Sequence, residues 1–185
     1  WNAVQPMLFG ASQASDGTFY NQYVGRMADL RFWYTKLTDA QVTALYNNGV
    51  ETPEVTDTLT EGLIAYFPLD NETESIGGHV GVLGHNDVAT GNASFVDNSG
   101  YRYLEISERG QGLTFSGTGL LEPLPHTSSW SISAWVKIPE YVTNETRINY
   151  FGNDAASIFC KGTLAGGGNV ISMALENGYP QLWHR

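Results

Sequence analysis

The chain has 185 residues, 42% of them hydrophobic and 12% aromatic, which is enough to bury one substantial core and too apolar for disorder. Nine Lys and Arg against nineteen Asp and Glu give a net charge of −10, which disfavours nucleic acid and anionic membrane and leaves acidic groups available for cations. No apolar run approaches the roughly 18 residues of a membrane span, and no leader pattern opens the sequence, so any targeting or anchoring segment is expected outside this stretch.

In chain order, a first strand is expected at Val4 to Phe9. A second follows where Ala28, Leu30, Phe32 and Tyr34 alternate with Asp29, Arg31 and Trp33, the first set being assigned to the core face. A helix is predicted from Thr38, whose hydroxyl caps Gln41 while the Gln41 side chain reaches back. Its apolar residues are Ala40, Val42, Ala44 and Leu45, with Tyr46 adding bulk, and Gly49 ends it. Residues 51–61 carry Pro, Thr and acids without a periodic apolar face and read as a linker. Beyond it, strands are expected at Leu63 to Phe67, Tyr101 to Ser107, around Leu113 and Phe115, Ile148 to Gly152, Ile158 to Lys161, Val170 to Leu175 and Gln181 to His184. The clearest runs from Trp130 to Ile138, with Trp130, Ile132, Ala134, Val136 and Ile138 on one face and Ser131, Ser133, Trp135 and Lys137 on the other. Two packed antiparallel sheets with one short helix follow: an all-β sandwich.

Four segments carry a family resemblance. Gly25 to Tyr34, with the helical Leu37 to Tyr46 and Asn47-Asn48-Gly49, resembles the closing strand and helix of laminin-G-like, concanavalin-A-like domains. Gly62 to Asp70 resembles their opening strand, Gly112 to Gly117 a following segment, and Ser128 to Lys137 their inner strand. The resemblance implies a jelly-roll sandwich whose ending precedes its beginning. Residues 1–50 then read as the end of one module, 51–61 as a linker and 62–185 as the first and central part of a second, cut from a longer array; the alternative is one permuted module. A sandwich lacking its last strands exposes an edge, so residues following this stretch, or residues 1–50 of this chain or of a neighbour, are candidates to fill it.

The same resemblance implies a calcium ion held by Asp29, Asp70 and Asn71, since hard oxygen ligands at loop ends suit Ca²⁺. The competing reading pairs Asp29 with Arg31 or a backbone amide and makes Asp70 a turn cap. Five Trp and ten Tyr raise stacking on sugars, with Trp33, Trp135, Tyr101 and Tyr103 placed away from the obvious core, although burial is the commoner fate of such rings and no sugar-binding residue is assigned. Catalysis is not expected. No strand carries paired acids, since Glu105 and Glu108 stand singly; His79, His85, His126 and His184 lack metal spacing; and Gly166-Gly167-Gly168 lacks the Lys-Ser/Thr of a phosphate loop. Cys160, the only cysteine, excludes an internal disulfide and reads as a buried thiol, the alternative being a bridge to residues elsewhere. Three sequons, at Asn71, Asn92 and Asn144, favour an extracellular or cell-surface setting with these asparagines glycosylated.

The expected function is a non-catalytic extracellular module for adhesion or recognition of a ligand, a glycan first and an extracellular protein second. Two alternatives stand beside it: a structural subunit of a filament or matrix whose half-modules complete each other by strand complementation, and an accessory module of a carbohydrate-active enzyme.

Overall fold

The computed structural model describes residues 6–13, 19–48, 57–85, 89–116, 121, 129–138, 155–162, 171–176 and 179–184. Among them, the strands are β1 (Met7–Phe9), β2 (Ser12–Gln13), β3 (Phe19–Tyr20), β4 (Gly25–Trp33), β5 (Leu63–Phe67), β6 (Gly81–His85), β7 (Ser94–Asn98), β8 (Tyr101–Ile106), β9 (Gln111–Phe115), β10 (Ser131–Lys137), β11 (Ala155–Lys161), β12 (Ile171–Glu176) and β13 (Tyr179–His184). Two helices, α1 (Asp39–Asn48) and α2 (Asp57–Thr60), lie between β4 and β5. The strand expected at Ile148 to Gly152 lies outside the described residues.

Eleven of these strands form two antiparallel sheets, and β2 and β3 pair as a separate two-stranded ribbon. One has six strands in the order β13-β12-β11-β1-β9-β6; the other runs β10-β4-β8-β7, with β5 also on β4. An all-β sandwich is therefore the fold. Strands from before and after residues 51–61 occupy the interior of both sheets: β1 lies between β11 and β9, and β4 between β10 and the β8/β5 side. The described residues before and after 51–61 thus share one core, with Met7, Phe9, Met27, Leu30 and Phe32 meeting Phe67, Leu104, Ile106, Leu113, Phe115 and Phe159.

The irregular point is Asp29. Its φ of 54° is left-handed, a conformation Asp tolerates better than bulkier residues. Its N–H leaves the ladder to donate to the carbonyl of Pro68 (3.0 Å). On one side of this bulge β4 pairs with β8 through Gly25 to Met27, and on the other with β5 through Leu30 to Trp33. The extra residue shifts the alternation, so that Met27, Leu30 and Phe32 join the cluster between the sheets, whereas Ala28, although buried, lies outside it. The expectation that Ala28 shares the core face with Leu30 is corrected accordingly. Along β10 the alternation holds, with Trp130, Ile132, Ala134 and Val136 packed against the core, while Ile138 is exposed.

The capping box of α1 is present. Thr38 N donates to Gln41 Oε1 (2.9 Å) and Gln41 N to Thr38 Oγ1 (3.3 Å). The helix does not bury the face assigned to it: Ala40, Val42 and Tyr46 are exposed, and Ala44 and Leu45 only half-buried. It stands off the sheet across a hollow. Within the stretch read as a linker, residues 51–56 lie outside the described residues, but Leu59 is buried and its carbonyl accepts from Trp33 Nε1 (2.8 Å). That bond satisfies the indole of a fully buried Trp33.

Candidate functional site

The outer face of the five-stranded sheet is built in rows across its strands. Because Met27, Leu104, Ile106 and Val136 point into the core, their neighbours Arg26, Ala28, Tyr103, Glu105, Trp135 and Lys137 face outward. Register sets the first row as Glu105, Arg26 and Lys137 on β8, β4 and β10. In the next row Trp135 pairs with Ala28, which has Tyr103 on its other flank. A methyl between two large rings leaves a gap. There the surface sinks into a hollow of about 200 Å³, lined by Arg26, Ala28, Tyr101, Tyr103, Trp135 and Lys137 among others.

Two further hollows adjoin it. One of about 460 Å³ lies between β10 and α1, where Val42, Leu45 and Tyr46 face Ser131 through Trp135, and Tyr46 stacks on Trp135 at 5.9 Å and 25°. The other, of about 300 Å³, lies beyond the charged row against Val24, Gly25 and Ser107. Trp135 separates the first pair and Arg26 with Lys137 the second, so the three hollows follow β10 from Ser131 to Lys137. At the usual strand rise this is about 20 Å.

The far end of the groove is fixed from beneath. Tyr23 Oη lies 2.9 Å from both the Arg26 and the Lys137 carbonyls, and burial pushes its phenol well above the ordinary range. Gly25 is required there. Its φ is +146°, and a Cβ would lie 2.4 Å from the Lys137 carbonyl oxygen and 2.6 Å from Tyr23 Oη. Above, Arg26 Nε donates to Glu105 Oε1 (2.9 Å) and its guanidinium lies 4.8 Å from the centre of the Tyr103 ring.

Near the bulge, the outer face holds a buried ion pair. Arg31 donates to Asp29 Oδ1 through Nε (2.8 Å) and its terminal nitrogen (2.7 Å), and its guanidinium lies 4.7 Å from the Tyr66 ring centre. Burial raises the Asp29 carboxyl above its ordinary value, against the lowering effect of Arg31 and of the Tyr66 hydroxyl. Burial and then the Asp29 charge raise Tyr66 to about 12.

The residues implied as calcium ligands are placed as follows. The Asp29 backbone, in the middle of β4, meets Pro68, two residues before Asp70. The Asp29 carboxylate, however, is engaged by Arg31. Asp70 Oδ1 accepts from Asn71 Nδ2 (2.7 Å), and Asn71 Oδ1 accepts from Thr73 N (2.7 Å). Among the described residues no three His, Cys, Asp or Glu side chains are grouped to hold a metal ion. This donor set, with a guanidinium already on its one buried carboxylate, does not fit a calcium ion as it stands.

Asn71 and Asn92 are exposed, as sequon asparagines must be, and Asn144 lies outside the described residues. Cys160 is a fully buried thiol in β11. The single acids have structural partners: Glu105 has Arg26, and Glu108 accepts from the hydroxyl and amide of Thr90 and the amide of Gly91, bonds that hold its carboxyl below the usual range. Glu74, which sequence reasoning passed over, is buried and accepts from the N–H groups of Tyr66, Ile76 and Gly77, fixing the loop after β5. Three backbone donors on one carboxylate leave no mark in sequence. Trp135 and Tyr103 are legible in the sequence as rings off the core face, but their row is not, because simple alternation puts Ala28 on the core face.

Among the described residues no helix is long and apolar enough to cross a membrane. No protein-family model matches the chain, and no curated protein or solved structure does either.

Proposed function

We propose that this chain is a non-catalytic recognition module of a secreted or surface protein that takes a carbohydrate along the outer face of its five-stranded sheet. The observation that carries this reading is the Tyr103, Ala28 and Trp135 row, where a small residue between two aromatic side chains opens a hollow. Sugar rings present flat C–H faces and polar edges, and such a hollow offers both partners at once. Ser131 and Ser133 on one side and Arg26, Glu105 and Lys137 on the other supply the polar groups. The exposed sequon asparagines support an extracellular setting, and an accessory role beside a catalytic domain would use the same surface.

The test is a printed array of defined oligosaccharides. Saturable binding is expected for the native chain, reduced about ten-fold or more in Trp135→Ala, which removes both the stacking surface and the wall between two hollows. Binding that Trp135→Ala leaves unchanged, or no binding at all, would end the carbohydrate reading.

One observation favours assembly as a second reading. Among the described residues, β6 and β13 are the outermost strands of the six-stranded sheet, and Val80 and Val82 beside one and Tyr179 and Leu182 on the other are exposed. Apolar outer strands without charged residues invite edge-to-edge pairing between copies. Sedimentation velocity should then show association that Val82→Lys abolishes, whereas a monomer at all concentrations rejects this reading.

A further inference from the structure

The charged row of the groove is unbalanced. Lys137 and Arg26 are direct cross-strand partners on the outer face, an arrangement in which like charges repel. Glu105, on the far side of Arg26, answers one of the two through a bond to Arg26 Nε. Among the described residues Lys137 has no carboxylate partner. The chain carries only nine basic residues in all against nineteen acidic, so a site with excess positive charge is against the grain of its surface. Both cations line the aromatic hollow as well as the hollow beyond it, so a ligand lying in the groove meets both.

We infer that the groove selects an acidic oligosaccharide, one bearing a carboxylate or a sulfate ester, held by Lys137 and Arg26 while its ring packs on Trp135. This rests on the carbohydrate reading above and goes beyond it in naming the charge of the ligand. An anion placed there removes the repulsion between the two cations and receives charge-assisted hydrogen bonds from both. Glu105 works against the ligand. It neutralises and orients Arg26 in the free protein, and the Tyr103 ring beneath keeps the guanidinium in place.

The experiment uses the whole chain on an array in which each oligosaccharide backbone is printed uncharged, carboxylated and sulfated, followed by calorimetry on the best binder of each kind at low and high salt. Acidic forms are expected to bind about ten-fold or more tightly than their uncharged counterparts, with the difference shrinking as salt rises. Lys137→Met should remove most of that difference. Glu105→Gln should strengthen binding of acidic forms several-fold, a gain that damage to the fold would not produce. Preference for carboxylated or for sulfated forms each supports the inference and tells the two apart. Equal binding of charged and uncharged forms, unchanged in Lys137→Met and lost in Trp135→Ala, overturns the acidic ligand and leaves the carbohydrate reading standing; absence of all binding overturns both.

Discussion

Replacing Arg31 by Met is expected to destabilise the protein by about 3 to 5 kcal/mol at neutral pH, the usual consequence of removing one partner from a buried ion pair. Arg31 and Asp29 are both largely shielded from water, their side chains 6% and 12% exposed. Without the guanidinium, Asp29 keeps its desolvation and loses both the charge and the hydrogen bond of Arg31, with only the Tyr66 hydroxyl still pulling its carboxyl downward, so its folded-state pKa climbs further above 3.8. A carboxyl raised in the folded state contributes stability that is fully present below the unfolded value and is lost as pH rises through the folded one. In native protein this makes Asp29 ionisation a modest opponent of folding. In Arg31→Met the opposition is larger and extends to higher pH, so the deficit should be greatest near neutrality and shrink on acidification toward the ordinary carboxylate range. Urea denaturation of both proteins across that interval measures it, and a pH-independent difference would show that the lost Tyr66 stacking, and not the unpaired carboxylate, dominates.

The same residue marks where sequence reading works and where it stops. β4, β5, β8, β10, β11 and β12 appear close to their expected positions because each carries an apolar run that is bounded by turn residues, and the α1 cap is a local pattern that needs no tertiary partner. β7 was legible but unread: Ser99 and Gly100, both at positive φ, close a two-residue hairpin onto β8, and the Asn98-Ser99-Gly100 triplet is its signal. β6 was not legible. Its glycines break the pattern, and Gly81 lies close against the next strand, where a Cβ would come within 2.8 Å of the tip of Leu113 and 2.9 Å of the tip of Phe115. Nor does anything local announce that Asp29 adopts a left-handed conformation, since the Pro68 carbonyl that receives its N–H is distant in sequence. That single bulge turns Ala28 outward and makes the hollow, so the candidate site depends on a tertiary hydrogen bond that a pattern of alternating residues cannot contain.

Phe67→Ala should cost about 3 to 5 kcal/mol, the range for deleting a large buried aromatic side chain. Phe67 is 1% exposed and stands edge-on to Phe9 at 5.0 Å, Phe115 at 5.0 Å and Phe32 at 6.1 Å, and Phe32 in turn meets Phe159 at 5.1 Å. These rings come from β1, β9 and β11 of one sheet and β4 and β5 of the other, so removing the central one takes edge-to-face contacts from both layers and leaves a cavity between them. Two of the five rings, Phe9 and Phe32, precede residues 51–61, and three follow. If the halves share one core, the loss must appear as a single cooperative transition shifted to lower denaturant, reported alike by fluorescence and by circular dichroism. If they were separate folding units, Phe67→Ala would instead split the transition, with the signal of Trp33 on β4 parting from that of Trp135 on β10. Phe67→Leu refills much of the volume and should recover part of the loss, which separates cavity formation from the loss of ring geometry. Carbohydrate binding by the folded fraction should be unchanged in both variants, because Phe67 lies on the inner face of the sheet whose outer face carries the groove.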